Sequence, residues 1–123
     1  MAIVKKYSVG EITLYDTHMI AVMNEGITVK TDLYADLLEI VQEHYSNKKF
    51  VYITHRVNSY AVDPGIYLKM SKIDNLLGFA VVYGNTIKFD NTDFEQSFIS
   101  VPFKTFKTLH AAKTWAKTLC KDA

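Results

Sequence analysis

Apolar and polar residues alternate from Glu11 to Leu14, with Ile12 and Leu14 on one face, and Ile20 and Val22 follow after the polar break Asp16-Thr17-His18. A period of two marks a half-buried strand, so this stretch predicts a hairpin with a short turn. The period then lengthens. Between Thr31 and Asn47, Leu33, Leu37, Ile40, Val41 and His44 fall at helical spacing along one face. Thr31 is placed to accept a hydrogen bond from the first free backbone N–H groups, and Asp32 favours the positive helix start. Ser46, Asn47 and two lysines mark the end of that helix.

Two continuous apolar runs follow, Phe50–Thr54 and Leu76–Asn85, each suited to a strand covered on both faces. Between them Asp63-Pro64 reads as a helix start. Asp63 is the expected cap, Pro64 stands where a missing N–H costs nothing, and Ile66, Met70 and Ile73 form the buried stripe. Thr92 predicts a cap for a helix carrying Phe94 and Phe98, and Val101–Phe106 predicts a more exposed strand. In the last stretch, Thr108–Cys120, Ala112, Trp115, Ala116 and Leu119 share one helix face, while Lys113, Lys117 and Lys121 form a solvated stripe. The expected fold is α/β in a single domain, 1–123: a mostly parallel sheet of about five strands with an N-terminal antiparallel hairpin and about four helices.

Composition narrows the class of protein. The chain has 123 residues, 49% of them hydrophobic, enough for one core without a staple. Fourteen Lys and Arg face 13 Asp and Glu, a net charge of +1, so there is no electrostatic case for nucleic acid or a membrane surface. Cys120 is the one cysteine, which excludes an internal disulfide and suits a reducing compartment. No apolar run approaches the ~20 residues of a spanning helix, and the start has no apolar signal core. A cytoplasmic protein is expected. The four histidines, His18, His44, His55 and His110, lack the i, i+4 spacing of a helical zinc site, and the five glycines form no phosphate loop. Neither a metal nor a cofactor is expected.

Chemistry concentrates in "THRVNSYAVDP", residues 54–64. In a parallel sheet, ligands collect where strand ends run into helix starts. The candidate binding residues are therefore Arg56, Asn58, Ser59, Tyr60 and Asp63, offering a guanidinium, a carboxamide, two hydroxyls and a carboxylate. Their partner would be a protein, or else a small apolar or anionic ligand. The plainer reading has Asp63 capping its helix, Asn58 and Ser59 satisfying the turn, and Arg56 in water. Tyr52, Tyr60, Tyr67 and Tyr83 fall around the strand ends and suit a pocket or an interface. A catalytic pair of Ser59 with His55 is the competing class, but no Gly-x-Ser-x-Gly elbow surrounds Ser59.

"FVYITHRVNSYAVDPGIYL" as strand, loop and helix start, with "FKTFKTLHAAKTWA" as last strand and last helix, resembles the STAS superfamily. This is the sulfate-transporter and anti-sigma-factor-antagonist fold. Within it the chain is similar to small single-domain bacterial proteins described as anti-anti-sigma-factor-like or STAS/CRAL-TRIO-like. The resemblance implies a non-enzymatic binding or regulatory domain, and some relatives bind lipids or nucleotides. In signalling members the second helix opens with Asp-Ser-Ser/Thr-Gly, and phosphate on its hydroxyl toggles partner binding. Here the matching stretch is Asp63-Pro64-Gly65, with proline at the acceptor position. That switch is expected to be absent, and a homodimer is among the assemblies such a domain would allow.

Overall fold

A computed structural model of the chain describes residues 2–58, 60–83 and 98–122. The elements run β1 (Ile3–Tyr7), β2 (Gly10–Leu14), β3 (His18–Met23), β4 (Thr28–Val29), α1 (Leu33–His44) and β5 (Phe50–Arg56), then β6 (Ala61–Val62), α2 (Gly65–Met70), β7 (Leu76–Tyr83), β8 (Phe103–Phe106) and α3 (Leu109–Asp122). The main sheet has six strands in the order β1-β2-β3-β5-β7-β8. The first three pair antiparallel; β3–β5, β5–β7 and β7–β8 pair parallel. Strands β4 and β6 form a separate parallel pair.

The mostly parallel sheet with antiparallel N-terminal pairing agrees with expectation, but the counts differ. The hairpin is the inner part of a three-strand meander, because "IVKKY" pairs along β2 as an edge strand. Two lysines and weak alternation hid it, and such residues are common on edges, where only one face is covered. Three helices occur among the described residues; the predicted helix at Thr92–Phe98 falls almost wholly outside them. Gly10 joins two registers at once, opposite both Tyr7 and Met23, and a Cβ there would strike the Val22 backbone carbonyl.

Alternation along the central strands sends side chains to two layers. Met19, Ala21, Phe50, Tyr52, Phe79 and Val81 pack with Leu33, Leu37, Ile40 and Val41 of α1 and with Ile66 and Met70 of α2. Ile20, Val51, Ile53, Ala80 and Val82 pack against Ala112 and Ala116 of α3. The predicted buried stripes of all three helices are thus found, with Trp115 and Leu119 half-buried at the rim of the second layer.

The caps differ in detail. Thr31 does not cap α1 through its side chain. The chain turns in through backbone bonds, Leu33 N–H to the Lys30 carbonyl at 3.2 Å and Tyr34 N–H to the Thr31 carbonyl at 3.1 Å. Pro64 sits one position outside α2 instead of in its first turn, and the Asp63 carboxylate accepts the Gly65 N–H at 3.0 Å. The N-cap position thus falls on Pro64 and not on Asp63, which stands one residue earlier and holds the first helical N–H without making an N-cap bond. Thr108 Oγ1 accepts the Ala111 N–H at 3.2 Å and caps α3.

Candidate functional site

Strand β5 runs two residues further than "FVYIT" suggests, and those two residues decide what the loop can do. Tyr52, Thr54 and Arg56 are two apart and share the α1/α2 face, while His55 lies in register with Val82, whose side chain belongs to the α3 layer. Arg56 and His55 thus leave the strand on opposite sides of the sheet.

The connection after Arg56 is tied down at several points. Asn58 donates its Nδ2 to the Met23 carbonyl at the end of β3, 2.9 Å away. Ala61 N–H reaches the Ile27 carbonyl at 3.0 Å, and Asp63 N–H reaches the Val29 carbonyl at 2.8 Å. These bonds strap the segment to β4 and place it over the carboxyl ends of β3 and β5, as the parallel topology requires.

Beneath this strap lies a cavity of about 20 Å³ lined by Tyr52, Thr54, Arg56, Tyr60, Tyr67, Phe79 and aliphatic side chains of β3, β4, α1 and α2. Its size admits about one water. Arg56 is 7% exposed, which sets aside the plainer reading of it as a side chain in water, and its Nη2 donates to the Tyr67 hydroxyl at 3.2 Å. The guanidinium carbon also stands 5.6 Å from the centre of the Tyr60 ring, within reach of a cation–π attraction. Thr54 Oγ1 and the Tyr60 hydroxyl are hydrogen-bonded at 2.9 Å. Tyr52 and Tyr67 both pack on Phe79, with ring centres 4.9 and 5.5 Å from it.

Burial holds the Tyr52 hydroxyl well above the usual phenol range; Tyr60 nearby adds to the rise and the Arg56 charge opposes it. The Tyr52 hydroxyl thus stays protonated beside the fixed positive charge of Arg56. Burial also lowers the pKa of His55, on the other face.

Of the five candidate residues, the structure brings Arg56 and Tyr60 together at the cavity and sets Asn58 on its strap. Asp63 is exposed at the start of α2, engaged with Gly65. Ser59 lies outside the described residues, as does the Asn85–Thr86 loop; Tyr83 pairs with Arg56 in the strand register. Three of the four tyrosines singled out, Tyr52, Tyr60 and Tyr67, line the cavity. Thr54 was missed as a participant, although its signal was present: it stands midway in the 52, 54, 56 alternation. Among the described residues, no trio of His, Cys, Asp and Glu side chains is grouped to hold a metal ion, and no helix is long and apolar enough to cross a membrane.

A mostly parallel sheet closed by a meander at one side, with helices on both faces, defines the class of fold: the SpoIIAA-like, or STAS, arrangement. The chain is similar to the crystal structure of an uncharacterized protein of the DUF3478 family with a SpoIIAA-like fold from Shewanella loihica PV-4. The TM-score is 0.53 at 11% sequence identity, over 94% of this chain and 92% of that one. No family model matches the sequence, and no curated protein matches it. The likeness establishes the fold; what the domain does has to come from its own residues.

Proposed function

We propose that this domain works by recognition and not by catalysis, docking a protein partner on the surface formed by the strap 57–63 and the outer side of α2. The observation that carries the reading is the placement of Arg56: a permanent charge enclosed among tyrosines directly under the strap. Arginine with flanking tyrosines is the composition of interface hot spots, where rigid aromatic area surrounds a directional cation. Two large apolar side chains on the same segments stand in water, Val57 at 48% and Leu68 at 49% exposed. Each offers apolar area for a partner to cover.

A hydrolase built on Ser59 and His55 has less support, because no Gly-x-Ser-x-Gly elbow surrounds Ser59. A small anionic or apolar ligand is the second reading, favoured by the cavity itself. At about 20 Å³ it would have to open, by movement of the six-residue α2, before a lipid or nucleotide entered. No phosphate is expected at the inherited switch position, since Pro64 has no hydroxyl. Intact-mass analysis of protein from its native cells, followed by peptide mapping, checks this; a phosphopeptide at Ser59 would instead make the strap a regulated surface.

The test is quantitative capture from native lysate by the wild type and by a Val57→Asp/Leu68→Asp double variant. Both positions are exposed, so the fold should survive. A defined protein captured by the wild type and reduced at least about tenfold by the variant supports the proposal. An unchanged set of captured proteins contradicts it.

A further inference from the structure

The last residues of α1 and the first strand together line a groove with a chemistry of its own. Ile40, Glu43 and His44, at i, i+3 and i+4, share one face of its last turn. Ile3 and Lys5 share one face of β1, and Ile3 sits in register with Leu14. Together these six side chains line a groove of about 190 Å³ on the β1 side of the sheet, separated by β3 from the strand that carries Arg56. Ile3 remains 47% exposed although it lies on the same face as buried Leu14. Lys5 Nζ and Glu43 Oε2 approach only to 3.9 Å, and their side chains are 42% and 59% exposed. His44 Nε2 is shielded from water and has no hydrogen-bond partner among the described residues.

We propose that this groove binds a free α-amino acid with a branched aliphatic side chain. Size and charge both lead there. The volume falls below the roughly 300 Å³ at which drug-sized pockets begin, so the groove holds only a small body. The floor of Ile3, Leu14 and Ile40 calls for an aliphatic body. The rim carries one cation and one anion close together. A ligand with a single negative pole meets Lys5 but is repelled by Glu43, and one with a single positive pole has the reverse fault. A zwitterion answers both: its carboxylate takes Lys5 and its ammonium takes Glu43, separating the long ion pair. His44 closes the end of the groove with its ring, and its Nε2, shielded from water, takes no part in the contact.

The contacts at the rim are half-solvated, so affinity in the millimolar range is expected. Saturation-transfer NMR with L-leucine, 4-methylpentanoate and 3-methylbutylamine reads it, using the full chain and its Lys5→Met and Glu43→Gln variants. Thermal unfolding confirms that each variant is folded. The expected result is saturable leucine binding to the wild type, weakened at least about tenfold in Lys5→Met and Glu43→Gln, with both single-pole analogues inferior to leucine. No saturable leucine signal, equal binding of either analogue, or indifference to Lys5→Met and Glu43→Gln would each overturn the proposal. None of these variants touches the strap or α2, so the outcome is separate from that of partner capture.

Discussion

The two faces of the central sheet are built on different principles. Against α3 the contact is made by small and branched residues: Ala112 and Ala116 are fully buried on Val51, Ile53, Ala80 and Val82. A Cβ at Gly78 would come within 2.9 Å of both Trp115 and Leu119, so helix and sheet have closed until nothing more fits. Against α1 and α2 the filling is aromatic, with Tyr52, Tyr67 and Phe79 stacked and tilted on one another. That same layer holds Arg56, Thr54 and the cavity. Small residues give a close-packed interior there, with His18 as the buried polar side chain on that face among the described residues. Tyrosines tolerate a buried charge, because each brings a hydroxyl to the edge of an apolar ring. One face is closely packed on small residues, and the other encloses a charge among tyrosines.

Changes on each face should therefore differ in kind. The largest loss is expected from Phe79→Ala, which removes the ring that Tyr52, Tyr67 and Phe103 all pack against; denaturant unfolding should show about 3–5 kcal/mol of destabilisation. Next is the pH response of the α3 face. His18 is 3% exposed, and burial, with Lys113 and Lys117 nearby, brings its pKa from 6.5 down to about 4. Between those values the unfolded chain takes up a proton that the native state refuses. Stability is thus full above pH ~6.5, falls as the pH drops toward ~4, and levels below it. At about 1.4 kcal/mol per pH unit the effect is on the order of 3 kcal/mol at most, and unfolding of His18→Gln across that window should show a flatter slope.

Gly78→Ala should be smaller, about 1 kcal/mol destabilising, since overpacking is offset in part by the lower backbone entropy of the unfolded chain. Combining it with Trp115→Phe, which removes the ring atoms the new methyl would meet, should recover part of the loss in a double-mutant cycle. Additive losses would mean that α3 is less closely seated than its contacts imply.

The same contrast explains what could be read from the sequence. The α3 face was legible because Ala112, Trp115, Ala116 and Leu119 repeat at helical spacing, and α1 was legible for the same reason. Strand β1 was not, because an edge strand exposes half its residues and "IVKKY" alternates weakly. The two-residue strands β4 and β6 carry no pattern at all; only the pairing of Thr28 and Val29 with Ala61 and Val62 makes them strands. In the candidate site, Asp63 was readable from local rules. Arg56 was flagged by its neighbours, but its burial was not foreseeable, since arginine is ordinarily solvated. Which side of the sheet each residue takes depended on how far β5 extends, and that is fixed by pairing with β7 through Arg56 and Tyr83.

If Arg56 is enclosed for recognition, the fold does not need its charge, and a side chain of similar length without that charge should serve as well in the interior. The unfolding free energy of Arg56→Met tests this without knowledge of any partner. The expected result is a stability within about 1 kcal/mol of the wild type, on either side. A loss of about 3–5 kcal/mol, the size seen when a structural buried charge network is broken, would make Arg56 a fold-holding residue and contradict the recognition reading.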